Sequence, residues 1–192
     1  MDALPMAYGD RALSGGTADV SGVACGPAVP APVRVLPAVV AKARVLFTDR
    51  RGCILLVRLQ SWHSSLHWGL PGGTVEAGTE VPRQAAVREI AEEIGLSCAP
   101  GRLLALDWIN RSDGQQPRIV HVFEGGLLER ERLEGIRLDT AELAEWRMCT
   151  PAEAEALLSE PSWGQLAAAL AVLSHDGEVA ELVDGTAVAP LP

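Results

Sequence analysis

Residues 82–94 constrain this chain more than any other stretch. Pro82 suits the first turn of a helix, where its missing N–H has no partner to lose. Gly95 suits the left-handed residue that ends one. The spacing between them predicts a helix from Pro82 to Ile94. At about 100° per residue, Val87, Ile90 and Ile94 share one face, which is expected to pack on a sheet. Glu89, Glu92 and Glu93 fall on an arc of roughly 100° on the other side. Like charges three and four residues apart destabilise an isolated helix by about a few tenths of a kcal/mol per pair. A bound cation removes that penalty, and carboxylates without His or Cys beside them favour Mg²⁺ or Mn²⁺ over zinc. Three glutamates alone also describe an ordinary solvated helix face, so the flanking residues have to decide.

Those flanks read as a mixture of strands and helices without regular alternation. Ala43–Thr48 and Cys53–Arg58 are expected strands joined by a turn at Asp49-Arg50-Arg51-Gly52. A His- and Trp-bearing loop leads to Trp68-Gly69-Leu70-Pro71-Gly72-Gly73. Leu103–Ile109 and Arg118–Phe123 are two further expected strands around a polar loop with Asp113-Gly114 at its tip, and Glu145–Cys149 is a third. Thr150-Pro151-Ala152-Glu153 has the capping-box pattern and opens a helix to about Leu158, with a second short helix over Gln165–Leu173. The fold class this implies is α+β. Residues 1–34, rich in Gly, Ala and Pro, are expected to be a flexible leader. The domain is placed at residues 35–178. Residues 179–192 are taken as a C-terminal tail, with a small hairpin around Asp184-Gly185 as one option.

A length of 192 residues with 48% apolar content suits one domain with a sizeable core. The net charge of −9 disfavours duplex nucleic acid as a partner, while a small anion remains acceptable if a cation shields it. Cys25, Cys53, Cys98 and Cys149 form no CxxC pair, so a reducing cytoplasm fits better than a disulfide framework. Met1–Pro5 lacks the basic and apolar regions of a signal peptide, and no apolar run approaches the roughly 20 residues of a membrane span.

Glu80, seven residues, then Arg88-Glu89-Ile90-Ala91-Glu92-Glu93-Ile94-Gly95-Leu96 resembles the second half of the Nudix box, G-x5-E-x7-R-E-U-x-E-E-x-G-U with U aliphatic. Trp68-Gly69-Leu70-Pro71-Gly72-Gly73 resembles the usual entry to it. One departure stands out: six residues, Thr74 to Thr79, separate Gly73 from Glu80 where the family has five. The resemblance to the Nudix family covers residues 37–175 in layout, while the specific motif spans 68–96. It implies an α/β/α sandwich with a mixed β-sheet and Mg²⁺- or Mn²⁺-dependent hydrolysis of a diphosphate linkage. It further implies that Glu92, Glu93 and the carbonyl of Gly72 bind metal. Glu89 would act as the base or orient it, also touching metal, and Arg88 would steady the carboxylates. Glu80 would complete the shell. An additional carboxylate from outside the box best matches Glu145, with Glu142 as runner-up. Arg58, Gly73 and Trp108 are the expected substrate contacts.

Each assignment has a plainer counterpart. Glu145 is also readable as a surface residue beside a buried Trp, Trp108 as core, Arg58 as surface, and His63 and His67 as solvated loop residues. The implied partner is a small-molecule diphosphate: a nucleoside triphosphate, or a nucleoside diphosphate joined to another group. Tyr8, the sole tyrosine, precedes the domain, which argues against a diadenosine-polyphosphate substrate, and Pro100 and Pro117 fit an ADP-ribose pattern poorly. An isopentenyl-diphosphate-isomerase-like enzyme, a non-catalytic nucleotide sensor and an acidic structural module remain alternatives. Assembly as a homodimer is left open.

Overall fold

The computed structural model describes residues 38–60, 67–97, 99–110, 115–175 and 177–188. Within them run β1 (Val40–Thr48), β2 (Ile54–Leu59), β3 (Trp68–Gly69), α1 (Pro82–Ile94), β4 (Leu103–Ile109) and β5 (Arg118–Leu127). There follow α2 (Arg130–Glu134), β6 (Leu143–Cys149), α3 (Pro151–Leu157), α4 (Glu160–His175), β7 (Ala180–Val183) and β8 (Thr186–Ala187). The expected leader at residues 1–34, His63 and the Asp113-Gly114 tip lie outside the described residues.

Period-two alternation along the strands builds two cores, one on each face of the sheet. Ala43, Val45 and Phe47 of β1, Leu55 and Val57 of β2, and Phe123 of β5 pack with Ala85, Ala86, Ile90 and Ile94 of α1. The intervening Leu46, Ile54, Leu56, Val120 and Val122 pack with Ala154 of α3 and Leu166, Ala169 and Val172 of α4. The sheet runs β3-β2-β1-β5-β4-β7-β8, with β6 also paired to β2. β1 lies parallel to β5, β5 antiparallel to β4, and β4 parallel to β7. A mixed sheet between helical layers is the arrangement the element pattern implies.

Helix α1 starts and stops as the sequence predicts. The Gln84 side chain accepts the Val81 N–H at 3.0 Å, and Gly95 ends the helix at φ 69°. Its inward face, however, differs from expectation. The buried residues are Ala85, Ala86, Glu89, Ile90, Glu93 and Ile94, while Val87 is 41% exposed. The small side chains of Ala85 and Ala86 let the helix lie close to the sheet. They also rotate it so that Val87 falls just outside the buried half. The same rotation carries Glu89 and Glu93 inward and leaves Glu92 outside.

The C-terminal segment forms the small hairpin around Asp184-Gly185 that the sequence leaves as one option, with β7 antiparallel to β8, and it joins the sheet instead of trailing as a tail. β7 extends the sheet along β4, from Ala105 opposite Ala180 to Trp108 opposite Val183, and Leu182 is buried in the second core. Asp107, fully buried, accepts hydrogen bonds from Gln165 Nε2 at 2.7 Å and from the Gly185 N–H at 3.1 Å. Gly185 takes φ 78° in the β7–β8 turn, and a Cβ on it would sit 2.6 Å from Pro161, so only glycine lets the turn rest on α4. Helix α4 begins earlier than predicted, at Glu160, because Pro161 fits its first turn. The short, highly charged α2 carries no buried residue and gave no periodic signal. Among the described residues no helix is long and apolar enough to cross a membrane.

Leu182→Ala should therefore cost about 2–5 kcal/mol in unfolding free energy by chemical denaturation. A loss under about 0.5 kcal/mol would make residues 179–188 the dispensable tail that composition suggests.

Candidate active site

β1 and β2 meet at Thr48 opposite Ile54, next to their turn, and the segment after β3 runs beside β1 farther along. Val45 donates its N–H to the Pro71 carbonyl and Ala43 to the Gly73 carbonyl, both at 3.0 Å, while Val75 donates to Ala41 at 2.9 Å. This pairing brings Gly72 and Gly73 beneath α1. Gly72 has φ 124°, and any Cβ there would overlap the Ala43 carbonyl; a Cβ on Gly73 would overlap the Glu89 carboxyl group. Gly72 requires glycine for close approach and for backbone freedom alike, whereas the missing Cβ of Gly73 leaves room for the Glu89 carboxyl group.

The Gly72 peptide is gripped from both sides. Its N–H donates to Glu93 Oε2 at 2.6 Å, and its carbonyl accepts from the Arg44 guanidinium, which also donates to the Leu70 carbonyl at 3.3 Å. Glu93 is 4% exposed. Burial raises its pKa to about 7, helped by the nearby charges of Glu89 and Glu142 and opposed by Arg44 and the Gly72 N–H. Burial likewise lowers the pKa of Arg44. It lowers that of Lys42 too, with Arg44 and Arg118 adding like-charge repulsion. The Lys42 ammonium donates to the Thr74 hydroxyl.

Arg88 spans the outer edge of the carboxylate group. It contacts Glu80 at 2.7 Å, Glu92 at 2.9 Å and Glu89 at 3.1 Å, and donates to the Thr74 carbonyl at 3.0 Å. The hydrogen bond to Glu80 does most to hold the guanidinium's pKa above its ordinary value, and the same bond lowers that of Glu80. Glu80 also accepts the Glu76 N–H at 2.9 Å. The extra residue is absorbed here, in a turn closed by Thr79 and Glu80 N–H groups on the Glu76 carbonyl and eased by Gly78 at φ 92°. Glu80 thus buckles the longer loop to Arg88.

Between these groups lies a cavity of about 310 Å³. Of the residues expected from sequence, Gly72, Gly73, Arg88, Glu89, Glu92 and Glu93 line it. Glu142 lines it too, so the runner-up carboxylate is the one brought in. Glu145 lies outside that lining. It pairs across β2 and β6 with Arg58 at 3.2 Å and with Arg147 at 2.9 Å, and those contacts, Arg147 first, lower its pKa. Arg58 is thereby committed to Glu145. Trp108 is 39% exposed on β4, with its indole N–H on Asn110 at 3.1 Å, also away from the lining. Sequence reasoning missed Lys42, Arg44, Leu59 and Thr74, which complete the cavity. The readable signal was a pair of cations two apart in an otherwise apolar strand, Lys42 and Arg44.

The donor set suits a hard divalent cation: four glutamates around one cavity, with no His or Cys in its lining. Among the described residues no three potential ligands already converge on one point. Arg88 holds Glu89 and Glu92 by ion pairs, which a metal ion would compete for.

The chain is similar to several known proteins. The chain is 36% identical over 103 residues to an uncharacterised Nudix hydrolase of Rhodococcus erythropolis, an overlap of 50% of this chain and 53% of that one. It is 49% identical over 51 residues to a putative 8-oxo-dGTP diphosphatase of Mycobacterium tuberculosis, covering 26% of this chain and 36% of that protein. It therefore spans about half or less of the length of these curated relatives. The crystal structure of a MutT protein from Methanosarcina mazei superposes with a TM-score of 0.59 at 19% identity, over 76% of this chain and all of that one, a likeness of fold. The family model of the NUDIX domain matches residues 39–170, which hold the first core, most of the second and the cavity between α1 and β1, and the chain belongs to the Nudix family.

Proposed function

We propose that this chain is a divalent-metal-dependent pyrophosphatase that cleaves the diphosphate linkage of a small, nucleotide-like substrate. The observation that carries the reading is the buried Glu93 carboxylate, facing Glu89 and Glu142 across a cavity that also holds Lys42 and Arg44. A fold does not bury like charges together without a reason, and perturbed carboxylates in a cleft are the usual mark of a reacting site.

Each side chain has a defined task in this reading. Glu92, Glu93 and Glu142 hold Mg²⁺ or Mn²⁺, with the Gly72 carbonyl beside them. Glu89, packed under Gly73, receives the proton of the attacking water or orients that water. Arg88 keeps Glu89 and Glu92 in place, and Glu80 keeps Arg88 in place. The bound metal supplies charge neutralisation at the diphosphate and acidifies water. Glu142 replaces Glu145 as the carboxylate from outside the box, and Arg58 and Trp108 are set aside as substrate contacts. A cavity near the lower end of small-ligand volumes suits a diphosphate group with its metal. Similarity to a protein named as a putative 8-oxo-dGTP diphosphatase favours a nucleoside triphosphate over a nucleoside diphosphate joined to another group. The net charge of −9 argues against a nucleic-acid duplex.

The reading generates three measurements. Hydrolysis of a panel of nucleoside di- and triphosphates should require Mg²⁺ or Mn²⁺ and vanish with EDTA; activity that survives chelation would remove the metal from the mechanism.

Glu93→Gln should lower turnover by roughly 10²-fold or more. Its effect on metal-free stability should depend on pH. The folded pKa is raised from 4.5 to about 7, so the stabilising form is the protonated one. That stability is fully present below pH 4.5 and is lost as pH rises through about 7. Gln mimics the protonated form throughout. Variant and parent should melt alike near pH 4.5, and the variant should be more stable, by on the order of 3 kcal/mol, above about pH 8. A variant less stable than the parent at high pH would make Glu93 a structural anion paired with Arg44.

Glu142→Gln should reduce turnover about tenfold or more, while Glu145→Gln changes it less than about threefold. The reverse order in steady-state kinetics would restore Glu145 as the additional carboxylate.

A further inference from the structure

Three cations line the cavity: Lys42, Arg44 and Arg88. Two of them are committed to protein partners. Arg44 donates to the carbonyls of Gly72 and Leu70. Arg88 serves Glu80, Glu92 and the Thr74 carbonyl. Lys42 differs. Its side chain is half-buried, and among the described residues its ammonium makes one hydrogen bond, to the Thr74 hydroxyl, and no ion pair. An ammonium has three donors, so two remain for a ligand.

Composition sharpens the contrast. Of the sixteen Lys and Arg residues, Lys42 is the sole lysine. Where the chain needs a planar fork for carbonyls and carboxylates it uses Arg, and the one compact point charge stands at this cavity. A nucleoside triphosphate carries more negative charge than one divalent ion neutralises, so its non-bridging oxygens have use for a further cationic donor in the cavity. Lys42 and Thr74 lie on β1 and its paired loop, while Glu89, Glu92 and Glu93 project from α1.

We propose that Lys42 is the substrate-binding residue that holds the non-bridging oxygens of the diphosphate, exchanging its hydrogen bond to Thr74 for the bound anion. The assignment rests on the pyrophosphatase reading for the identity of the anion. It makes Lys42 a determinant of affinity. Its loss therefore falls on KM more than on kcat, and it acts without touching the metal ligands.

The sole lysine makes a direct test possible. Reductive methylation with ¹³C-formaldehyde labels the Lys42 ammonium and the chain's α-amino group, preserves the charge, and gives one side-chain resonance, identified by its absence in Lys42→Met. That resonance should shift when Mg²⁺ and methylenediphosphonate, a non-hydrolysable diphosphate, are added together, and by more than with Mg²⁺ alone. By calorimetry Lys42→Met should bind the diphosphonate about 10- to 100-fold more weakly, with a matching rise in KM for a hydrolysed substrate. Lys42→Arg should recover part of that loss, and Mn²⁺ binding by itself should be no weaker in Lys42→Met. A parent that hydrolyses diphosphates while Lys42→Met matches it in Kd and KM would overturn the Lys42 assignment and leave the proposed activity standing. Lys42-dependent binding of the diphosphonate without hydrolysis of any substrate would do the opposite. A parent that binds no diphosphonate, or binds it with the labelled resonance unmoved, would also overturn the assignment, and the resonance carries the test even if Lys42→Met folds poorly.

Discussion

The hydrogen bond from the Gly72 N–H to Glu93 is the contact on which the rest of the site depends. It ties α1 to the segment that runs beside β1, and that segment stays in place because Gly72 and Gly73 carry no Cβ. Burying a carboxylate costs several kcal/mol unless charge-assisted hydrogen bonds and an opposing charge offset it. Here the offset is incomplete, since the carboxyl's pKa remains raised despite Arg44 and the peptide N–H. The metal-free fold therefore stores unfavourable electrostatics at one point. A cation would relieve it, so occupancy of the cavity and stability of the fold are linked.

Much of this was legible in the sequence, because local signals set it. Pro82 and Gly95 fixed the ends of α1, and Thr150 with Glu153 fixed the start of α3, through chemistry that needs no tertiary context. The strands around β1, β2, β4 and β5 followed from runs of apolar residues. What stayed hidden was set by packing. The rotation of α1 depends on how closely Ala85 and Ala86 approach the sheet, which hydrophobicity alone does not rank, so the apolar period points Val87 inward and Glu93 outward. The turn at Asp184-Gly185 hints at a hairpin, but four residues with Leu182 as the single buried side chain carry too little periodicity to show that β7 joins the sheet beside β4. Its place depends on Asp107 and Gln165, distant in sequence.

The choice between Glu142 and Glu145 has the same origin. In sequence the Trp after Glu145 made it conspicuous. In space, strand pairing sets Glu145 opposite Arg58 on β2, and Arg147 closes on its other oxygen, so its charge is already met. Glu142 precedes the strand, in the turn where its own N–H donates to the Asp139 carbonyl and its carbonyl accepts from Gln60. Among the described residues Glu142 forms no ion pair, and such a carboxylate beside a cavity is a better candidate for metal than one already in two ion pairs.

Three glutamates that look equivalent on a helical wheel end in three surroundings, and the roles proposed for them follow those surroundings. Glu93 is sealed under the Gly72 peptide and has the strongest reason to bind a cation. Glu89 lies against Gly73, with one edge on Arg88, fixed in orientation by packing as a base must be. Glu92 has a side chain 59% exposed and is held by Arg88 four residues before it, an exchangeable contact worth about 0.3–0.5 kcal/mol. It can leave that ion pair for a metal at little cost. The extra loop residue fits the same logic. Because Glu80 reaches Arg88 through its side chain, a longer loop can close on its own turn without moving the helix register, and the geometry at Glu89, Glu92 and Glu93 is insulated from the length of the segment before it.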